Sequence, residues 1–312
     1  MVSKGSRAAL RAGIVATVLS VLAIGPAARA QAPDTSKVEY RTEKLTDNLF
    51  VLFGGGGNIA VLTGPDGALV VDSDVPDLSA KLRAALALVS EKPARFLVNT
   101  HFHFDHTGGN PTLGRSGLVI VAHDNVRRHL MSRQVINLGQ DLVFEPTPPE
   151  GLPIVTFEDG LSFHVNGEDV MVRHVANGHT DSDAIVYFQK ANVLHLGDLM
   201  MSNGYPLIDL GNGGSIAGLI AGHEKALALC NDQTRVIPGH GPLIGKAELQ
   251  AYHDMVATVR KRVADLVKKG RTLDQIKAAA PTKDQDERWG KGFIKPEFFL
   301  ERLFIELKQP TK

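Results

Sequence analysis

The stretch Asn99-Thr100-His101-Phe102-His103-Phe104-Asp105-His106-Thr107-Gly108-Gly109-Asn110 follows an apolar run, residues 96–99, that is typical of a β-strand. Three histidines and one aspartate fall within six positions of this stretch. Side chains alternate along a strand and glycine permits tight turns, so a loop at a strand end can bring these groups together. Imidazole nitrogens and carboxylate oxygens are good ligands for zinc and related divalent metals. The stretch therefore predicts a metal-binding loop.

Three residues further along the chain repeat this pattern. His179, Asp198 and His240 each follow an apolar run with strand character, and each has a glycine directly before it. Any one of them could cap a turn. Together they predict that one polar ligand type recurs along a single edge of the sheets.

The order of predicted elements favours a fold with two β-rich halves. In the first half, strands are predicted at residues 49–53, 59–63, 68–72, 96–99 and 118–122, and helices at 78–90 and 123–133. In the second half, strands are predicted at residues 161–165, 170–175, 184–189, 193–196 and 235–238, and helices at 215–231 and in at least three pieces from 246 onward. Two β-rich halves, each with covering helices, predict an α/β fold: a four-layer αββα sandwich with extra C-terminal helices.

Composition excludes several classes of protein. The 312 residues include 34 Lys+Arg and 34 Asp+Glu, and 43% are hydrophobic, which is typical of a globular chain rather than a disordered one. The single cysteine, Cys230, allows neither an internal disulfide nor a cysteine-based zinc site. Without a basic excess, a nucleic acid is not expected as a partner.

The first thirty residues have the pattern of a secretory signal peptide. Lys4, Arg7 and Arg11 precede an apolar run at residues 12–25, and Ala28-Arg29-Ala30 forms an A-x-A cleavage site. The run is shorter than the roughly 20 residues that span a bilayer, so cleavage after Ala30 is favoured over a retained anchor. We expect a secreted, periplasmic protein with no stable membrane span after processing. The mature chain, residues 31–312, is predicted to form a single domain with a helical tail from about residue 246.

The seven candidate ligands resemble the ligand set of the metallo-β-lactamase superfamily, and the resemblance runs from about residue 38 to residue 245. It implies an αββα sandwich with a two-metal site at one edge of the sheets. By position, the first metal would be held by His101, His103 and His179. The second would be held by Asp105, His106 and His240, with Asp198 bridging both. Asp72 matches an aspartate that supports the metal loop from behind, although a plain turn-capping role is also open.

The resemblance also implies a reaction. A pair of Zn²⁺ ions, or alternatively Fe or Mn, can lower the pKa of a bound water toward neutrality and so hold a hydroxide between them. That hydroxide would attack a carbonyl carbon in a small-molecule substrate. Asp105 could orient it and carry a proton to the leaving group, which makes Asp105 the predicted catalytic residue.

Two sequence differences from the true β-lactamases narrow the range of expected substrates. Their major subclass has Cys where this chain has Asp198, and three residues later a Lys that binds the lactam carboxylate. Here that position is Met201, which cannot pair with a carboxylate. A bridging Asp is similar to glyoxalase II-like thioesterases and lactonases, so we predict an ester, thioester or lactone hydrolase.

Two alternatives remain at this point. One is a β-lactamase, because another secreted subclass relies on histidines and serines, and Ser202 is available here. The other is an iron-dependent redox member of the superfamily. For substrate contacts, Tyr205 and Asn212 are candidates, Tyr205 either as a donor to an oxyanion or as a packing residue. The four glycines at residues 54–57 could form a flexible tip over the metals or a simple turn.

Overall fold

A computed structural model describes Met1 and residues 35–309 of the chain. The predicted signal peptide and its cleavage site after Ala30 lie outside the described residues, apart from Met1. Among the described helices, none is both long and apolar enough to cross a membrane. Residues 35–309 fall within one compact unit.

Seven strands of the first half pair into one sheet, and two more form a separate hairpin. The strands are β1 (Arg41–Lys44), β2 (Leu49–Phe53), β3 (Ile59–Leu62), β4 (Ala68–Val71), β5 (Ala94–Val98), β6 (Val119–His123), β7 (Gln134–Asn137), β8 (Asp141–Phe144) and β9 (Val155–Phe157). The sheet order is β1-β2-β3-β4-β5-β6-β9, and β7 pairs with β8 alone. Strands β4, β5, β6 and β9 are mutually parallel, so the loops that follow β4 and β5 leave from the same edge.

The second half forms a six-stranded sheet. Its strands are β10 (Gly160–Val165), β11 (Glu168–His174), β12 (Ala184–Phe188), β13 (Val193–His195), β14 (Arg235–Ile237) and β15 (Ile244–Gly245), paired in chain order. Strands β13 and β14 are parallel. The loops that carry Asp198 and His240 therefore leave from the same end of this sheet.

Helices cover the outer faces of the two sheets. They are α1 (Ser79–Val89), α2 (Phe104–Thr107), α3 (Asn110–Arg115), α4 (Asp124–Leu130), α5 (Ile216–Leu229), α6 (Lys246–Lys268), α7 (Leu273–Ala279), α8 (Asp286–Trp289) and α9 (Pro296–Lys308). The predicted helices at 78–90 and 215–231 correspond to α1 and α5. The tail from residue 246 forms α6 to α9, as the sequence predicted.

Three apolar clusters hold the layers together. Between the sheets lie residues from both halves, such as Val71 and Val98 against Val172 and Phe188. A second cluster packs α1 onto the first sheet, and a third packs α5, α6 and α9 onto the second sheet. Burying both faces of each sheet in this way gives the αββα sandwich with extra C-terminal helices.

Several parts of the fold were not predicted from the sequence, among them β15 and the short helices α2 and α3. Strand β1 is polar and mostly exposed, so it lacks an apolar pattern. Strand β9 has only three residues, two of them exposed. The β7–β8 hairpin is short and partly exposed. The proline-rich segment at residues 146–153 is irregular apart from one 3₁₀ turn.

Two leucines of α1 test the outer layer directly. Leu82 is fully buried against the first sheet, whereas 88% of Leu88 is exposed. Leu82→Ala should lower the free energy of unfolding by about 2–5 kcal/mol, because it leaves a cavity that its neighbours only partly fill. Leu88→Ala should change it by less than about 0.5 kcal/mol. Urea denaturation of both variants measures the difference, and equal effects would contradict this packing of α1.

Candidate metal centre

The metal-binding loop is closed by a pair of asparagines. Asn99 directly follows β5, and Asn110 begins α3. Their amides donate to each other's carbonyl oxygens, at 3.1 and 2.8 Å, and the Asn99 amide also reaches the His106 carbonyl at 3.3 Å. Both side chains are fully buried. This clamp brings the two ends of the loop together, and α2 then presents Asp105 and His106 as one helical turn.

The seven candidate ligands converge at one edge of the sandwich. Three groups have ligand atoms that all lie within 4.8 Å of one another. They are His101 with His103 and His179, His101 with His106 and Asp198, and Asp105 with His106 and His240. The first and third groups are the two sets of side chains that the resemblance to the superfamily implies.

Asp198 lies between those two sets. Its Oδ1 is 3.2 Å from His106 Nε2 and 3.4 Å from His240 Nε2. Its Oδ2 is 3.7 Å from His179 Nε2. One carboxylate therefore faces both sets, and its Oδ1 is buried without a hydrogen-bond partner.

Asp72 fixes the ring orientation of two histidines. It accepts hydrogen bonds from His106 Nδ1 at 2.7 Å and from the Thr100 hydroxyl at 2.8 Å. Because the Thr100 hydroxyl donates its proton to Asp72, its oxygen accepts a hydrogen bond from His101 Nδ1 at 3.0 Å. Both rings therefore carry a proton on Nδ1 and turn Nε2 inward. His101 Nε2 is buried and has no hydrogen-bond partner.

His103 and His179 are oriented by other outer partners. His103 Nε2 donates to Asp209 at 3.0 Å, and His179 Nδ1 donates to the Leu207 carbonyl at 2.8 Å. The inner nitrogens, His103 Nδ1 and His179 Nε2, are left with lone pairs and lie 2.9 Å apart. Facing lone pairs at this distance repel unless positive charge lies near both. This donor set fits a metal ion, since ligating histidines characteristically donate their other N–H to such a partner.

The carboxylates of the site also attract positive charge. Burial lowers the pKa of His240, but Asp198 and Asp105 raise it more, to about 10. The pKa of His106 is raised in the same way, mainly by Asp198 and Asp72 against the effect of burial. Burial together with His103 lowers the pKa of His179 to about 4, so that ring stays neutral. A bound cation would take the place of the protons on His106 and His240.

Two glycines allow the backbone to approach these ligands closely. A Cβ on Gly57 would lie 2.2 Å from His106 Cε1, and a Cβ on Gly239 would lie 1.9 Å from Asp198 Oδ1. The Gly57 N–H also donates to the Asp105 carbonyl at 2.9 Å. The tip at residues 54–57 is therefore packed against the metal-binding loop. From the sequence alone, both a flexible tip and a simple turn were possible here.

The structure does not place Tyr205 or Asn212 as substrate contacts. Tyr205 is fully buried; its ring stacks on Phe299 and its hydroxyl donates to Asp286 at 2.9 Å. That hydroxyl is engaged in the packing of the C-terminal helices. The Asn212 amide donates to Asp209 at 2.7 Å, so Asn212 supports the partner of His103. Both side chains are engaged within the protein, and substrate contact by either residue stays a prediction.

Two functional contacts escaped the sequence analysis. Asp209 holds His103, and Thr100 links Asp72 to His101. Asp209 lies between Tyr205 and Asn212 in the sequence, but no glycine-flanked strand end precedes it. Thr100 sits within the metal-binding loop and has no metal-ligating group of its own.

A cavity of about 400 Å³ opens over the candidate ligands. Its polar lining includes His103, Asp105, Asp198 and His240. Its apolar lining consists of Phe104, Ile136, Leu138, Met201, Leu207 and Phe293. Among the described residues that line it, none is lysine or arginine. A substrate would thus meet both candidate ligands and apolar side chains.

Residues 52–241 match the sequence model of the Metallo-beta-lactamase superfamily. The match covers more than half of the chain and includes all seven candidate ligands, so this protein belongs to that superfamily. Its αββα architecture and the edge position of the ligand cluster agree with this assignment.

Curated relatives are distant. The chain is 22% identical over 222 residues to the Beta-lactamase-like protein 2 homolog of Caenorhabditis elegans, covering 71% of this chain and 64% of that one. It is 25% identical over 213 residues to the Atrochrysone carboxyl ACP thioesterase of Aspergillus fumigatus, covering 67% of this chain and 42% of that one. The chain therefore spans less than two thirds of the length of either relative.

A solved structure shares the fold over a longer range. The stereoselective inverting sec-alkylsulfatase Pisa1 from a Pseudomonas species superposes with a TM-score of 0.63 at 19% identity. The likeness covers 85% of this chain and 50% of that one. It extends over more of the chain than the family match does and concerns the fold alone.

Asp72 gives a test of the outer hydrogen bonds. Asp72→Asn keeps the shape and suits the positive φ of 66° at this position, but it removes the charge that accepts from His106 and Thr100. We expect metal affinity to fall by about 10- to 100-fold. Competition with a chromogenic chelator measures this affinity. Asp77→Asn, at a nearby exposed position, is the matched control, and equal affinities in the two variants would refute a supporting role for Asp72.

Proposed function

We propose that this protein is a metal-dependent hydrolase that cleaves ester, thioester or lactone carbonyls in small molecules. The observation that carries the proposal is the convergence of seven imidazole and carboxylate side chains. Four of them, all histidines, have outer hydrogen bonds that turn the other ring nitrogen toward the cluster. Membership of the superfamily and the distant relation to a thioesterase support hydrolysis of a carbonyl.

The residues fit two divalent cations, with zinc as the first candidate and iron or manganese as alternatives. His101, His103 and His179 would hold one, and Asp105, His106 and His240 the other, with Asp198 facing both. When bound, such a pair acidifies a water nucleophile and polarises the carbonyl that it attacks.

Asp105 is suited to move a proton. About a fifth of its side chain is exposed, it lines the cavity, and its Oδ2 lies 3.2 Å from His240 Nε2. Burial raises the pKa of Asp105, but His106 and His240 lower it more, to about 2. Asp105 is therefore a carboxylate at neutral pH. It can accept a proton from the attacking water and pass it to the leaving group.

The cavity favours this reading over a β-lactamase. Met201 lines the cavity three residues after Asp198, where a lactam carboxylate would need a cationic partner. Since no described lining residue is lysine or arginine, an anionic substrate would lack a cationic side-chain partner there once a bound cation takes the place of the proton on His240. Neutral carbonyl compounds need no cationic partner in the cavity.

We also propose that the protein is secreted into the periplasm after cleavage behind Ala30. The basic residues, the apolar run and the A-x-A site of the sequence support this. N-terminal sequencing of the protein from a periplasmic extract tests it directly. A mature chain that begins at Gln31 is expected, whereas an intact N-terminus in the cytosolic fraction would contradict the proposal.

Metal analysis combined with a substrate panel tests the proposed activity. We expect about two equivalents of a divalent metal per chain and a loss of activity on chelation that added zinc restores. The panel contains a p-nitrophenyl ester, S-lactoylglutathione, a homoserine lactone, a chromogenic cephalosporin and a secondary alkyl sulfate. Turnover of the cephalosporin or the sulfate alone would contradict the proposal, as would iron with persulfide-dependent oxygen uptake.

The role of Asp105 has its own test. Asp105→Asn should retain much of the bound metal, because six other ligand side chains remain, yet lose turnover by about 100-fold or more. Metal content and kcat are measured on the same preparation, with Asp77→Asn as the control. Turnover equal to that of the unaltered protein would remove the proton-transfer role, and loss of both metal and turnover would identify Asp105 as a ligand only.

A further inference from the structure

A second cavity lies beneath the β7–β8 hairpin. Its volume is about 290 Å³. Its apolar wall comes from Phe102, Pro111, Leu130, Phe144 and Pro148. It has no part in the proposed chemistry, because none of the seven candidate ligands lines it.

The two cavities share a wall. Phe104 and Ile136 line both of them. The Phe104 ring is also stacked on Phe144, with centroids 4.6 Å apart. Phe104 and Ile136 therefore stand between the space beneath the hairpin and the space over the candidate ligands. Together the cavities fall in the size range of small-molecule pockets.

Two polar side chains of the second cavity, Thr107 and Gln134, are already engaged in hydrogen bonds within the protein. The Thr107 hydroxyl donates to the Phe102 and His103 carbonyls, at 3.1 and 3.0 Å. The Gln134 amide donates to the His129 carbonyl at 2.6 Å and to the Ser132 hydroxyl at 2.8 Å. What remains for a ligand is mainly apolar surface, which favours hydrocarbon.

The charge of the side chains that line the second cavity also favours an uncharged ligand. Of the described residues that line the second cavity, only Glu145 is charged, and it carries a negative charge. A carboxylate on a ligand would find no cationic partner there and would meet this acid. The cavity therefore suits an uncharged arm.

The hairpin is tied to the His103 side of the cluster. The Asn212 amide donates both to the Val135 carbonyl of β7, at 3.0 Å, and to Asp209, at 2.7 Å. Asp209 in turn accepts from His103 at 3.0 Å. His103 belongs to the all-histidine set, and the opposite set contains Asp105, the proposed donor to the leaving group. The hairpin that covers the second cavity is thus connected to the all-histidine set.

We propose that the cavity beneath the β7–β8 hairpin binds the acyl arm of the substrate, so that the preferred substrates are neutral esters, thioesters or lactones with an unbranched alkyl chain. This proposal rests on the proposed hydrolase function and specifies its substrate class. The chain enters between Phe104 and Ile136, whose side chains move apart to admit it. Specificity for chain length is set by the cavity beneath the hairpin.

A series of p-nitrophenyl esters from acetate to decanoate tests the proposal on the metal-loaded protein, below the micelle concentration of each ester. We expect kcat/KM to rise by about tenfold or more from acetate to the best chain, because each buried methylene adds favourable transfer free energy. A second series varies the alcohol of acetate esters and should give a much flatter profile. A flat acyl profile, or a steep alcohol profile, would overturn the assignment.

Two neighbouring positions of β7 supply a matched pair of variants. Ile136 faces inward and is 2% exposed, whereas Val135 faces outward and is 41% exposed. Ile136→Trp should block the passage and lower the ratio of octanoate to acetate turnover by about tenfold, whereas Val135→Trp should leave that ratio unchanged. Equal ratios in the two variants would refute the passage.

Folding and function can be separated in this design. Thermal unfolding reports whether each variant folds; if Ile136→Trp does not, Ile136→Phe is the milder substitution and should lower the same ratio by a smaller factor. Hydrolysis of all esters with no dependence on acyl length would overturn the acyl cavity and leave the hydrolase function standing. No hydrolysis of any carbonyl substrate by metal-loaded protein would overturn both.

Discussion

The site depends on hydrogen bonds made by the outer nitrogens of its histidines. Asp72 and Thr100 engage His106 and His101, Asp209 engages His103, and a backbone carbonyl engages His179. Each bond settles which nitrogen carries the proton, so four imidazoles turn their lone pairs inward. The inward-facing lone pairs and the carboxylates of Asp105 and Asp198 create a demand for positive charge in a buried place. That demand is the physical basis for proposing bound cations.

The sandwich makes this arrangement possible. Strands β4 and β5 are parallel neighbours in one sheet, and β13 and β14 are parallel neighbours in the other, so the loops after them reach a common edge. Parallel pairing brings Asp72 beside the metal-binding loop, and packing of the sheets brings Asp198 and His240 to the same place. Gly57 and Gly239 then allow close contact, since a Cβ at either position would overlap a candidate ligand. The apolar layers have the role of holding these loops in register.

The β7–β8 hairpin adds an apolar wall to this polar edge. Ile136 and Leu138 line the cavity over the ligands, and Ile136 continues into the cavity beneath the hairpin. Asn212 joins the hairpin to Asp209, and so to the outer partner of His103. The elements that orient the ligands and those that line the acyl cavity are therefore connected through hydrogen bonds. A neutral substrate with a hydrocarbon arm matches both walls.

The sequence by itself predicted the candidate ligand set and determined the α/β class of the fold. The spacing within residues 101–106, the glycines beside His179, Asp198 and His240, and the alternation of apolar runs are local patterns, and they can be read without coordinates. Only the tertiary structure decided which side chains stand behind the ligands and which line the pocket. Asp209 meets His103 across 106 positions, and Tyr205 turns into the core to meet Asp286 across 81. Contacts of such separation arise from the packing of sheets and helices, and no periodicity of the chain encodes them.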